Sequence, residues 1–241
     1  MKYVIIGGSA AGISAAQNIR QLDSEGQITV LAKDDQLHSR CMLHHFISGE
    51  RTLDQLKFVD DGFMEKHNID WQPGRKVVEV NPADKSVITE AGAEINYDQL
   101  LIATGSSPFV PPIEGLQSGK QIYTLRDLED AQQIKEASDK NTNALVIGAG
   151  LVGVDAASGL TAQGADVTLV ELGETILPLQ LDQTAAENYE DLFIEQDMEI
   201  ITDSGVSEVI LDEDNNVEAA VIDGETEINV DLIVVATGVQ P

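Results

Sequence analysis

Two glycine-rich turns carry the clearest chemistry in this 241-residue chain. The first is Gly7-Gly8-Ser9-Ala10-Ala11-Gly12, after the apolar run Tyr3-Val4-Ile5-Ile6. The second is Gly148-Ala149-Gly150-Leu151-Val152-Gly153, after Ala144-Leu145-Val146-Ile147. In such a turn the first glycine permits a tight strand-to-helix bend, the second lets backbone approach a pyrophosphate, and the third lets helix pack closely on strand. The helix then points unpaired N–H groups and a positive dipole end at the phosphates. Gly148, Gly150 and Gly153 fill all three positions, with Leu151 and Val152 in the first helical turn. Gly7 and Gly12 fill the outer two; Ser9 holds the middle one, where its hydroxyl can itself bond a phosphate, and Ala10 and Ala11 follow it. A ligand-free, tightly packed turn is the plainer alternative for each.

The duplication sharpens this reading. Each turn is matched by a distant apolar strand ending Ala-Thr-Gly: Leu100 to Ala103-Thr104-Gly105, and Leu232 to Ala236-Thr237-Gly238. Two such fingerprints, each with its closing strand, point to two dinucleotide sites. An acid at the end of the second strand of such a unit holds the adenine ribose hydroxyls. Glu171 stands there in the second unit, eighteen residues after Gly153, and should favour NADH over NADPH because a 2'-phosphate would meet an anion. The first unit has Ala32 at the matching position, followed by Lys33 and Asp34; either Asp34 replaces the acid or Lys33 contacts the ribose or phosphate.

Cys41 is the only cysteine, which rules out an internal disulfide and suits a reducing cytoplasm. It reads either as an inert thiol or as a nucleophile whose pKa the neighbouring Arg40 lowers. His44 and His45 follow without zinc-site spacing.

The elements needed to position these residues are legible. Strands at 3–7 and 28–31 flank a helix from Ala11 to Leu22 with Ile13, Ala16 and Ile19 on one side. Alternation from Lys76 to Val87 reads as strands around the Asn81-Pro82-Ala83-Asp84 turn. Pro108, Pro111 and Pro112 mark a crossing between domains. A capped helix approach spans Thr124 to Ala137. The second unit then runs strand 144–148, helix 151–163, strand 166–171, an amphipathic helix near 182–197, and strands around the polar turn 212–216. The class is α/β: two Rossmann-like dinucleotide-binding units, each with a three-stranded β-meander.

No apolar run is long enough to span a bilayer and Met1-Lys2 leads straight into a strand, so no membrane span or signal peptide is expected. The formal charge is -28. After Lys140 there is no Lys, Arg or His, while 21 acids follow. Such a surface repels nucleic acid and anionic membranes. It is either a heavily solvated surface or a docking face for a basic partner.

These motifs resemble the FAD- and NAD(P)-dependent pyridine nucleotide-disulfide oxidoreductases over essentially the whole chain. The resemblance implies that the first fingerprint binds FAD and the second the nicotinamide nucleotide. It sets an incomplete FAD-binding domain at 1–111, an NAD-binding domain at 112–238, and the start of a return to the FAD domain at 239–241. It adds Val78, the two Ala-Thr-Gly segments including Gly105 and Gly238, and Arg126 in Leu125-Arg126-Asp127 to the cofactor-binding residues. Relatives continue past the second Ala-Thr-Gly into a Gly-Asp pair that binds the flavin and then an interface domain. The chain is therefore expected to be a truncated piece of a homodimeric parent.

The segment His38 to His45 resembles two branches. Cys41 with Met42-Leu43 is similar to single-cysteine reductases of disulfide, peroxide or oxygen. Arg40 and Leu43 are similar to reductases of rubredoxin or ferredoxin and to nitrite reductase flavin modules. In the latter branch a Lys near the flavin pairs with a Glu after the second fingerprint; His45 and Asp155 stand at those positions. They are expected to pair beside flavin N5 and the nicotinamide and to tune hydride transfer. The implied activity is a cytoplasmic NADH-dependent flavoprotein reductase that passes electrons to an acceptor, a redox carrier protein for preference. A Cys41-based reductase and a non-catalytic nucleotide-binding fragment are the alternatives.

Overall fold

A computed structural model describes all residues from Met1 to Pro241. In chain order the first elements are β1 (Lys2–Ile6), α1 (Ala10–Leu22), β2 (Gln27–Leu31), α2 (Leu43–Ile47), α3 (Phe63–Lys66) and β3 (Ile69–Gln72). Next come β4 (Val77–Asn81), β5 (Ser86–Thr89), β6 (Glu94–Asn96), β7 (Gln99–Ile102), β8 (Ser107–Pro108), β9 (Ile122–Thr124) and α4 (Leu128–Ala137). The rest are β10 (Asn143–Ile147), α5 (Leu151–Gln163), β11 (Asp166–Val170), α6 (Gln183–Ile194) and β12 (Glu199–Ile201), then β13 (Val206–Leu211), β14 (Val217–Ile222), β15 (Thr226–Asn229), β16 (Leu232–Val235) and β17 (Val239–Gln240).

The chain forms two compact units. One comprises residues 1–39 and 53–105; the other comprises 40–52 and 106–241. In the first, a parallel sheet has the order β3-β2-β1-β7, and β4-β5-β6 form an antiparallel meander. In the second, the parallel order is β12-β11-β10-β16-β9, with the meander β13-β14-β15. Both units thus place the strand that feeds the glycine-rich turn between its second strand and its closing strand. There the chain direction of the winding reverses, and parallel sheets offer a crevice at such a point. The expected pair of Rossmann-like units with meanders is present.

The central strands read as uninterrupted apolar runs because both faces are covered. Leu145, Val146, Leu232, Ile233 and Val234 have essentially no exposure. In the second unit Leu145 and Ile233 join Leu116, Val206, Val209 and Ala220 in one core. In the first, Ile5, Ile13, Ala16, Ile28 and Val30 form the core under α1, and Val4, Ile6, Leu31 and Val87 pack on the other sheet face. The closing strands differ. β16 lies between β10 and β9 and is buried throughout, whereas β7 is an edge strand with Leu101 37% and Ile102 60% exposed.

Residues 40–52 and 106–111 pack with the second unit, although the sequence reading groups them with the first. The reason is local. Leu43 and Ile47, one helical turn apart, are fully buried on α2, and α2 lies against α4 and α5. Gly159 permits the approach: a Cβ there would come within 3.0 Å of the His44 carbonyl oxygen. The end of α2 leaves carbonyls without helical partners. Lys135 Nζ donates to Phe46 O at 2.6 Å, and the Gln163 side-chain amide donates to Ile47 O. The signal for this docking is dispersed over three helices, so no local pattern reveals it.

Candidate functional site

Both glycine-rich turns form the same way. Gly7 and Gly148 adopt φ of +116° and +98°, the left-handed side that disfavours side chains. A Cβ on Gly148 would lie 2.7 Å from Ala236 O, and one on Gly7 would strike Ala103 O, so each first glycine sits against its own closing strand. A Cβ on Gly12 or Gly153 would strike the carbonyl oxygen of Gly7 or Gly148 respectively. Helix and strand are therefore in backbone contact in both units, as the third glycine of a dinucleotide turn requires.

The four helices of ten residues or more differ at their N-termini. At α6, Asp182 accepts a hydrogen bond from Ala185 N at 2.9 Å. At α4, the Asp130 carboxylate accepts from Arg126 N and Asp127 N at 2.7 and 3.2 Å. At α1 and α5, Ser9 and Gly150 provide no side-chain cap. A first turn leaves N–H groups without intrahelical partners, and at these two ends an anion can take the place of the missing cap. Space exists for it in the second unit: a Cβ on Gly150 would meet nothing within 4 Å. Leu151 and Val152 are exposed beside it.

A cavity of about 450 Å³ opens at the same end of the second sheet. Its walls include Gly148, Gly150, Glu171, Leu172, Leu179 and Gly238. Glu171 is fixed by backbone: Oε2 accepts from Ala149 N at 2.6 Å and Oε1 from Gly173 N at 2.9 Å. No Lys, Arg or His lines this cavity. Residues 173–181, which no sequence motif marks, strap the turn through Leu177 N donating to Ala149 O at 2.8 Å. The residues present suit a dinucleotide: an uncapped helix end, a glycine-opened approach and a fixed carboxylate on an apolar wall.

Beside α5 lies a chain of titratable groups. His44 Nδ1 is 3.5 Å from Asp155 Oδ2, the His44 and His45 rings lie 4.1 Å apart, and His45 Nδ1 pairs with Glu50. Burial pushes the His44 imidazole below its ordinary value, with Asp155 pulling the other way; burial pushes Asp155 up, opposed by His44 and His45. The expected His45–Asp155 pair is corrected here: consecutive positions on α2 diverge, so His44 takes Asp155 and His45 turns to Glu50. His44 and Glu50 were not among the expected catalytic residues; only the doubled histidine hinted at them.

The whole sequence, residues 1–241, matches the family described as pyridine nucleotide-disulphide oxidoreductase. The chain belongs to this family. Among its relatives is the epsilon subunit of NADH-dependent phenylglyoxylate dehydrogenase from Aromatoleum evansii, 35% identical over all of this chain and 56% of that protein. The solved NAD-dependent persulfide reductase from A. fulgidus is 32% identical with a TM-score of 0.90, over all of this chain and 46% of that one. The covalent putidaredoxin reductase–putidaredoxin complex matches at 26% identity and a TM-score of 0.89, over all of this chain and 59% of that one. The chain thus spans about half the length of these relatives.

The remaining expected residues of this family member are distributed as follows. Arg40 Nη1 donates to the Arg126 carbonyl at 2.7 Å, and Arg126 itself holds Ser106 through Nε and Nη2. Both arginines are therefore held in one network next to the first Ala-Thr-Gly segment in sequence. Cys41 is exposed. In the first unit Lys33 is exposed, Asp34 is half-buried, and Thr104 and Gly105 are exposed after β7. Val78 lies on the meander strand β4, 56% exposed. Ala32 is buried, and Trp71 packs over Gly8, where an added Cβ would overlap its ring.

Proposed function

We propose that this chain is the nucleotide-binding part of an NADH-dependent flavoprotein reductase. The uncapped helix α1 and its turn 7–12, with Ser9, would hold the FAD pyrophosphate; α5 with Gly148, Gly150 and Gly153 would hold that of NADH. When bound, the flavin supplies the chemistry of accepting two electrons as hydride from the nicotinamide. The chain's own residues bind and orient. Glu171 offers its carboxylate to the adenine ribose, and Asp155 with its two imidazoles is the polar group proposed beside the nicotinamide. The observation that carries this reading is the contrast between two carboxylate-capped helices, α4 and α6, and two uncapped ones that follow glycine turns.

The electrons would pass to a protein redox carrier. A relative solved in covalent complex with putidaredoxin supports a carrier, and a net charge of -28 favours one with a basic docking face. A thiol route is the second reading, favoured by the exposure of Cys41 beside Arg40. The purified protein should show a flavin absorption spectrum that bleaches under anaerobic NADH. A colourless protein that cannot be loaded with FAD would defeat the reductase reading for this chain. The variant Cys41→Ser should keep carrier reduction within about twofold, as surface changes away from a reaction do. Loss of all turnover would instead assign the acceptor step to the thiol.

A further inference from the structure

The second unit joins a titratable pair to the helix that the proposed function gives to the NADH pyrophosphate. Asp155 is on α5, five residues from the N-cap Gly150, so it lies on the order of 8 Å along the axis from that terminus. His44 is the imidazole nearest to it, at 3.5 Å. The pair is held by the docking of α2 and not by the flexible side chains alone: Leu43 and Ile47 are buried, and α4 and α5 bond to the end of the helix. We propose that His44 and Asp155 form a proton-linked gate on nicotinamide-nucleotide affinity, in which His44 takes up a proton from solvent when the dinucleotide binds. This rests on the reading that the second unit binds NADH.

The argument is one of net charge. With His44 protonated the pair is neutral. With His44 neutral, the Asp155 carboxylate stands uncompensated on the helix whose N-terminus must receive two phosphate charges. By linkage, whatever raises the proton affinity of His44 on binding also makes binding tighter at lower pH. The other charged groups about His44 are His45, Glu50 and Arg51 from its own segment, Lys135 from α4 and Arg40 from the preceding turn. Lys135 is engaged by the Phe46 carbonyl and ring, and Arg40 by the Arg126 carbonyl. Glu50 is matched by His45. Asp155 is thus the carboxylate that His44 faces directly, with His45 the next imidazole acting on it. Burial pushes His44 below its ordinary value while Asp155 pulls it up, so the approach of phosphate charge acts with Asp155 and against burial.

NADH titrations by calorimetry from about pH 5 to 8, in two buffers of different ionisation heat, test this across the imidazole range. Affinity should fall as pH rises, by up to about fivefold between the protonated and the neutral imidazole, the effect of one charge on two others about 8 Å away in a water-like medium. The buffer comparison should show fractional proton uptake. The variants should lock the gate in opposite states. Asp155→Asn should bind NADH at all pH values as tightly as the unmodified chain does at low pH; His44→Asn should bind throughout as weakly as it does at high pH. A flat affinity with no proton uptake would overturn the gate and leave NADH binding intact, as would a loss of affinity in both variants. Absence of NADH binding at every pH would instead overturn the reading on which the gate rests.

Discussion

Gly153→Ala should cost the second unit at least about tenfold in NADH affinity and about 1–3 kcal/mol in stability. The reason is that no neighbour can move. The new methyl would enter the Gly148 carbonyl oxygen, which belongs to backbone. Gly148 is itself at positive φ and lies against the carbonyl of Ala236, the residue after β16. Beyond it, β16 is flanked on both sides and buried. Strain must therefore be relieved by lifting the first turn of α5, the turn whose N–H groups are to meet the pyrophosphate. The matching change Gly12→Ala should act on the other cofactor: flavin retention should fall while NADH affinity holds, because Gly12 belongs to a separate sheet and a separate core. Equilibrium titrations of both ligands on both variants check this. Equal loss of both ligands in either variant would mean that the two turns do not serve separate nucleotides.

These turns were legible in the sequence because their chemistry depends on what glycine lacks. Close approach of backbone to backbone leaves a fixed spacing of missing side chains, and Gly7/Gly12 and Gly148/Gly153 record it. The parallel strands were legible too, since a strand buried on both faces must be apolar at every position, as 144–147 and 232–235 are. Glu171 could be placed by counting from the turn, and it lies on the cavity wall. Other features depend on contacts between distant segments. That residues 40–52 dock on α4 and α5 rests on Leu43, Ile47, Gly159, Lys135 and Gln163, which share no local pattern. Which histidine meets Asp155 depends on how the short α2 is rotated, and a shift of one residue turns the side chain by about 100°. The strap at 173–181 is set by a backbone hydrogen bond from Leu177 to Ala149, which side-chain types do not encode. Fold and glycine turns were thus written locally, whereas the titratable cluster was written in tertiary packing.

The largest effect on cofactor choice should come from Glu171. The unmodified chain should prefer NADH over NADPH by about a hundredfold or more. A 2'-phosphate brought about 4 Å from this carboxylate would meet a repulsion of about 4 kcal/mol at the dielectric typical of a protein surface, reduced by salt but not abolished. Movement does not relieve it readily, because Ala149 N and Gly173 N hold both oxygens in place. Nor can a cation compensate it: none lines the cavity, and no Lys, Arg or His follows Lys140. Glu171→Gln keeps the size of the side chain, removes its charge and retains one oxygen as acceptor. NADPH affinity should rise and the preference should narrow to below about tenfold, while NADH loses a few-fold through a weaker bond to the ribose hydroxyls. Competitive titration of the two nucleotides against each variant reads both changes. If the unmodified chain takes NADPH as readily as NADH, the ribose does not lie against Glu171. If the preference is strong but survives Glu171→Gln, the apolar wall of Leu172 and Leu179 excludes the phosphate by desolvation in place of charge.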